Sequence, residues 1–260
     1  MGYGNASHCK RLPVIVAVKI RNEPGPHDSS HTFPARQQGA SEAVIEELLP
    51  AGVVGATSRS DEQQEPLFPE EAALVARAIP ARQREFATGR SCARRALRRL
   101  QVADVPILSG RRREPLWPAG IVGSITHCTG YRAAAVARAS DAAAIGIDAE
   151  QHAPLPAGVL ERISLAEERS WLATAPAGLH WDRLLFSAKE SVLKACFTLL
   201  QRAPVFSQLL LQFDPGRAAF LAQLLMERES APLPHHLQGR YLVRDGLIVT
   251  AVIVPTGRPV

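Results

Sequence analysis

Asp148 and Glu150 stand two residues apart in Gly146-Ile147-Asp148-Ala149-Glu150. About forty residues later come Lys189, Glu190 and Lys194, in Phe186-Ser187-Ala188-Lys189-Glu190-Ser191-Val192-Leu193-Lys194-Ala195. On an extended chain residues i and i+2 share a face, so the two carboxylates repel unless a cation sits between them. Oxygen ligands of this kind suit Mg²⁺, which commonly takes one or two carboxylates together with substrate phosphates. The lysines stand out because arginine is the default cation: of 30 basic residues only Lys10, Lys19, Lys189 and Lys194 are lysine. A compact, flexible ammonium suits a phosphate clamp or a proton-handling site. The plainer alternative is a surface pair between Glu190 and Lys194, worth about 0.2 to 0.5 kcal/mol.

These groups need elements to hold them. Leu184, Leu185, Ala188, Val192 and Cys196 form an apolar stripe that predicts a helix from near Trp181, with Lys189, Glu190 and Lys194 off the stripe. Asp148 and Glu150 fall on the last of three predicted strands, Ile121 to His127, Tyr131 to Ala139 and Ala143 to Asp148, whose short connections suggest an antiparallel meander. Upstream, Arg82 to Leu100 reads as a basic helix after Pro80, either a solvated face or an anion-binding one, and Leu108 to Pro118 as a basic turn-rich loop. A short helix is expected from Ser41 to Pro50, another from Glu70, and a capping box at Ser164 and Glu167. Strands are expected at Leu209 to Phe213, around Phe220 to Met226, and as a hairpin across Asp245-Gly246. The fold class is α+β: two units of similar size, residues 41–150 and 151–260, behind a poorly ordered extension over 1–40, with no internal repeat legible in the sequence.

Composition narrows the partners. A formal charge of +5 and a pI near 9.3 favour phosphorylated cofactors, acidic proteins or nucleic acid. With 5% aromatics and no stacking motif, a nucleic-acid module is the weaker alternative. Walker and Rossmann glycine patterns are absent, and no His or Cys grouping has zinc spacing. His127-Cys128 are adjacent and would point to opposite faces of a strand, which argues against a Cys-His nucleophile. Cys9, Cys92, Cys128 and Cys196 are scattered, as in a reducing cytoplasm, and the early apolar run Leu12 to Ile20 is too short for a membrane span and lacks a cleavage site.

Together, Trp117-Pro118, Gly123-Ser124-Ile125-Thr126-His127-Cys128, Gly146 to Glu150 and Phe186 to Ala195 resemble, in order and spacing, the paired motifs of the 4'-phosphopantetheinyl transferases. The branch is the one that includes enterobactin-type enzymes and those serving polyketide and lipid synthases, and the likeness runs from roughly residue 42 to 254. The resemblance implies a monomer of two similar subdomains in a pseudo-two-fold arrangement with the active site in the cleft between them. It implies transfer of the phosphopantetheine arm of coenzyme A to a serine of an acyl or peptidyl carrier protein, releasing adenosine 3',5'-bisphosphate. Asp148, Glu150 and Glu190 would hold Mg²⁺, Glu190 would also act as base toward the carrier serine, and Lys189 and Lys194 would grip the phosphates. Arg82 and Arg90 would bind the 3'-phosphate and adenine end, with Thr126 and His127 beside them. Ser109 stands where related sequences often carry lysine, so Arg111 or Arg112 would supply that charge. The nucleophile would belong to the carrier, which accounts for its absence here. An inactive, carrier-binding homologue is the remaining alternative; the intact Asp148, Glu150, Lys189 and Glu190 argue against it.

Overall fold

The computed structural model describes residues 44–62, 65–225 and 235–257. Residues 1–40 and Ser41 lie outside them, so of the first expected helix only a 3₁₀ turn, Glu46–Leu48, is seen before Pro50. Strand β1 (Val53–Ser58) follows, then helices α1 (Pro69–Val75) and α2 (Pro80–Arg99) and a hairpin of β2 (Ile121–Cys128) and β3 (Tyr131–Arg138). The rest of the chain is β4 (Ala142–Gln151), α3 (Val159–Ile163), α4 (Ala166–Leu172), α5 (Trp181–Leu200), β5 (Leu209–Asp214), β6 (Ala219–Leu224), β7 (His236–Arg244) and β8 (Leu247–Pro255). Proline opens α1 and α2, where its missing N–H costs nothing and its fixed φ suits the first turn.

The strands form two antiparallel sheets, ordered β1-β3-β2 and β4-β8-β7-β6-β5. The expected meander therefore stops after two strands: β4 pairs with β8, about a hundred residues downstream, rather than with β3. This pairing reveals a repeat. The path β1-α1-α2-β2-β3, with β3 central, recurs as β4-α4-α5-β7-β8, with β8 central, and β5-β6 are added at the outer edge of the second sheet. By this topology β4 opens the second unit.

Each unit is locked by a buried ion pair of the same design. Glu71 near the start of α1 accepts from the Phe68 N–H (3.0 Å), the Ile107 N–H (2.8 Å) and the Arg94 guanidinium of α2 (2.8 Å). Glu168 near the start of α4 accepts from the Leu165 N–H (2.7 Å), the Leu211 N–H (2.9 Å) and the Lys189 ammonium of α5 (2.7 Å). In each case one carboxylate caps its own helix, catches a distant backbone N–H and holds a cation of the long helix. The helix expected to be capped by Ser164 and Glu167 thus starts one residue later, on Leu165 and Glu168.

The long helices cover the sheets. Beneath α5 lie Leu184, Leu185, Ala188, Val192 and Cys196, each with no exposed surface, together with Leu209, Phe220, Ile248 and Val252. A second cluster fills the space between the sheets, with Ile145, Ile147 and Ala149 of β4 against Ala133, Ala135 and Ala137 of β3. At the seam β2 runs beside β4 without a backbone ladder. The Ser124 hydroxyl accepts from the Ile147 N–H (3.2 Å) and the Thr126 hydroxyl from the Ala149 N–H (3.0 Å), satisfying donors that would otherwise be orphaned.

Candidate active site at the seam of the two sheets

Alternation on β4 sends Ile145, Ile147 and Ala149 into the core between the sheets and leaves Gly146, Asp148 and Glu150 facing α5. Gly146 is where the helix comes closest. A Cβ there would lie 1.9 Å from the Ser191 carbonyl oxygen and 2.7 Å from the Ala195 nitrogen, so only glycine admits α5 at this distance. Ser187 and Thr250 fasten the same contact from the neighbouring strand, the Thr250 hydroxyl donating to the Ser187 carbonyl (3.0 Å). Helical spacing puts Arg183, Ser187, Glu190 and Lys194 on one stripe, and that stripe meets β4 and β8.

Asp148 is the centre of the arrangement. It is buried, and its Oδ1 accepts from Lys194 Nζ (2.8 Å) and from the Thr126 hydroxyl (3.2 Å), so both units of the fold touch it. Its Oδ2 is buried with no hydrogen-bond partner. Lys194 also donates to the Ile147 carbonyl (2.8 Å), which fixes its ammonium against the strand. Glu150 binds the buried Arg183 (2.9 Å) through Oε2. Burial, and then the Asp148 charge, push the Glu150 and Glu190 carboxyls up to about 7. Arg183 and Lys194 oppose the shift at Glu150, and Lys194 opposes it at Glu190. Three carboxylates thus share a poorly solvated region with two cations whose charge does not offset them fully.

Lys189 does not join this group. It lies five positions before Lys194, which places it about 140° around the helix. Its Nζ has no exposed surface and donates to Glu168 (2.7 Å) and to the carbonyls of Ile163 (2.8 Å), Leu209 (3.0 Å) and Phe206 (3.1 Å). Burial pulls the ammonium below its usual range and Glu168 pulls the other way. With its ammonium engaged inside the second unit, Lys189 is placed apart from the phosphate-gripping position that the resemblance implies for it. It is the cation of a structural hub, in the place Arg94 takes in the first unit.

The basic helix divides in the same manner. Arg94, Arg95, Arg98 and Arg99 are tied to Glu71, to the Thr57 carbonyl, to Glu65 and Asp104, and to the Gly55 carbonyl, so this end of α2 is not an open anion-binding strip. Of the remaining three, Arg84 is exposed, while Arg82 and Arg90 are spaced with Phe86 at four-residue intervals along one face. Arg82 lies 2.8 Å from His127 Nε2 and 2.5 Å from Glu85, which itself meets His127 (2.9 Å). Arg90 stacks on the Phe86 ring at 4.3 Å and donates to Ser109 Oγ (3.2 Å). Its Nε is buried without a partner, and burial brings the guanidinium down to about 10. A largely desolvated guanidinium bound to no carboxylate suits an external anion.

The loop before Trp117 hangs from β2, with the indole N–H donating to the Gly123 carbonyl (2.9 Å). Arg111 and Arg112 are exposed on it, and Arg112 lies over the Phe197 ring of α5 at 5.8 Å, so the loop spans from one unit to the other. Ser109, the residue found in place of lysine, serves as the Arg90 acceptor. Arg183 was absent from the sequence-based site. Its signal was its place on the same helical stripe as Glu190 and Lys194.

Comparison with known proteins matches this anatomy in two parts. A family model described as the 4'-phosphopantetheinyl transferase N-terminal domain covers residues 70–137, and one for the 4'-phosphopantetheinyl transferase superfamily covers residues 144–251, so the division falls between β3 and β4. The chain is 50% identical over 224 residues to 4'-phosphopantetheinyl transferase Svp of Streptomyces mobaraensis, covering 81% of this chain and 89% of that protein. It is 42% identical over 222 residues to 4'-phosphopantetheinyl transferase PptT of Mycobacterium tuberculosis, covering 81% and 98% of the two chains. Enterobactin synthase component D of Salmonella typhimurium is 38% identical over 120 residues, 44% of this chain and 48% of that one. The matched regions take in most of both units, with Ser124 and Thr126 of the seam and the acidic strand facing α5: the chain belongs to the 4'-phosphopantetheinyl transferase superfamily.

Proposed function

We propose that the protein transfers the 4'-phosphopantetheine group of coenzyme A to a serine of an apo carrier protein, with Asp148, Glu150 and Glu190 forming the divalent-cation site. The observation that carries this reading is the buried, unpartnered Asp148 Oδ2 beside two carboxyls raised to about 7. Among the described residues no three His, Cys, Asp or Glu side chains are drawn together as a ready-made cage. The three carboxylates need not be drawn together before Mg²⁺ binds, because substrate phosphates and water complete its shell. A bound Mg²⁺ would offset charge on the pyrophosphate oxygens of coenzyme A.

The chain's own residues divide the remaining work. Lys194, held on Asp148 and the Ile147 carbonyl, keeps a positive charge where the departing bisphosphate gathers negative charge. Glu190 takes the proton of the carrier serine, directly or through a water, as the serine oxygen attacks the phosphorus bearing the pantetheine arm. Arg90, stacked on Phe86, and Arg82 beside His127 hold the 3'-phosphate and nucleotide end, with Arg111 and Arg112 on the loop above. Carrier proteins are commonly acidic, and the chain's net charge of +5 speeds encounter with such partners more than it tightens the complex. We read the enzyme as monomeric and cytoplasmic; among the described residues no helix is long and apolar enough to cross a membrane.

Incubation with coenzyme A is expected to release adenosine 3',5'-bisphosphate only when an apo carrier and Mg²⁺ are both present. Chromatography of the nucleotides reads this. Undiminished release after chelation of divalent ions would remove the cation from the account.

A further inference from the structure

Arg183 is 2% exposed, in the first turn of α5, and three of its guanidinium nitrogens are engaged. Nε donates to the Ala153 carbonyl (3.1 Å), NH2 to the Pro154 carbonyl (2.7 Å) and NH1 to Glu150 Oε2 (2.9 Å). The turn that leaves β4 is thereby folded back over the start of the helix. Asp182 joins from the same turn of α5, accepting from the Leu155 N–H (2.7 Å), and the His180 N–H donates to His152 Nε2 (3.1 Å). Of these contacts only the one to Glu150 reaches a functional side chain. It ties up one carboxylate oxygen and leaves the other.

We propose that Arg183 is a positioning residue of the transferase site: its planar fork fixes the rotamer of Glu150 so that the remaining carboxylate oxygen stays available to a divalent cation beside Asp148. The inference rests on the metal-site reading above. Two features favour the fork over a simple counter-charge. The guanidinium spends two of its three bonds on backbone carbonyls, so its plane is set before Glu150 binds, a rigidity that an ammonium lacks. Arg183 also shares the helical stripe of Glu190 and Lys194, so one rigid helix sets the cation-facing group of α5 and the orientation of the strand carboxylate together.

The test measures Mn²⁺ affinity by electron paramagnetic resonance in the presence of coenzyme A and without carrier protein, which reads the site apart from turnover. Arg183→Lys keeps the charge and loses the fork. It is expected to weaken Mn²⁺ binding by about tenfold or more, the usual loss when a partner of a metal ligand is changed. In an E150Q background the same substitution is expected to change Mn²⁺ affinity less than twofold, because the residue acts through Glu150. Equal weakening in both backgrounds would assign Arg183 to general folding and overturn the proposal, as would an unchanged affinity in the single variant. Absence of Mn²⁺ binding by the unmodified protein would overturn the metal-site reading itself, and the proposal with it. If Arg183→Lys fails to fold, Arg183→Gln, which can still donate to a loop carbonyl, is put through the same cycle with the same outcomes.

Discussion

Asp148→Asn is expected to lower kcat/KM for carrier modification by about 10²- to 10³-fold, the loss typical when a preorganised electrostatic group is removed from a reacting centre. Its effect on stability has the opposite sense. Asp148 is a buried carboxylate whose charge raises both Glu150 and Glu190, and its Oδ2 has no partner, so neutralising it relieves repulsion that the folded state otherwise bears. The Lys194 pair is weakened in exchange, but that ammonium is partly solvated and keeps the Ile147 carbonyl. Thermal unfolding is therefore expected to show a melting temperature unchanged or raised while activity collapses. Such a combination marks a site held in tension for function. A variant that lost activity in step with stability would instead mean that Asp148 serves the fold.

Lys189→Ala is expected to do the reverse. Removing the ammonium leaves Glu168 charged inside the second unit with only the N–H groups of Leu165 and Leu211 on it, and strips a donor from the carbonyls of Ile163, Phe206 and Leu209. Breaking a buried pair from one side costs about 3 to 5 kcal/mol, a large share of the stability of a typical domain. Denaturant unfolding reads the loss, and amide exchange at Leu211 is expected to accelerate, because the Glu168 that holds this N–H loses its anchor to α5. An unchanged unfolding midpoint together with a fall in kcat would return Lys189 to the phosphates.

The contrast between the two residues explains what the sequence could and could not convey. Apolar periodicity found α5 and α1, and Pro80 the start of α2, because these signals act within a few residues. Asp245-Gly246 found the β7–β8 turn for the same reason, both residues having positive φ (53° and 73°) as a tight two-residue hairpin loop requires. Strand β1 was missed: its Val-Val-Gly-Ala-Thr-Ser is small and covered on both faces, so no alternation betrays it. The partner of β4 was illegible, since alternation tells which face a residue takes and says nothing of which strand lies alongside.

Site residues follow the same rule. Type and spacing marked Asp148 and Glu150, whereas Glu190 and Lys194 read locally as a surface pair and joined them only through the family resemblance; the structure gathers all four about one strand and one helical stripe. Lys189 looked equivalent to Lys194 because adjacency to Glu190 and helical polarity cannot tell a solvated cation from a buried one. Its partner Glu168 is 21 residues away and acts through a fold that has to exist first. Arg183 was overlooked because its two carbonyl acceptors, on Ala153 and Pro154, belong to a turn that no side-chain pattern marks. The repeat was hidden in a similar manner. The two units share connectivity and a carboxylate hub, yet one fills the hub with Arg94 and the other with Lys189. Beside Arg94 the first unit carries Arg95, bound to the Thr57 carbonyl, while beside Lys189 the second carries Glu190. Among the described residues only the second has an acidic strand facing its helix, so the arrangement about Asp148 is not repeated in the first unit.

The most direct measurement is intact-mass spectrometry of apo carrier proteins from fatty-acid, polyketide and peptide synthases after incubation with the protein, coenzyme A and Mg²⁺. At least one carrier is expected to gain the mass of a single phosphopantetheine group, with no gain when its acceptor serine is replaced by alanine. Unchanged mass across all three carrier classes would contradict the assignment.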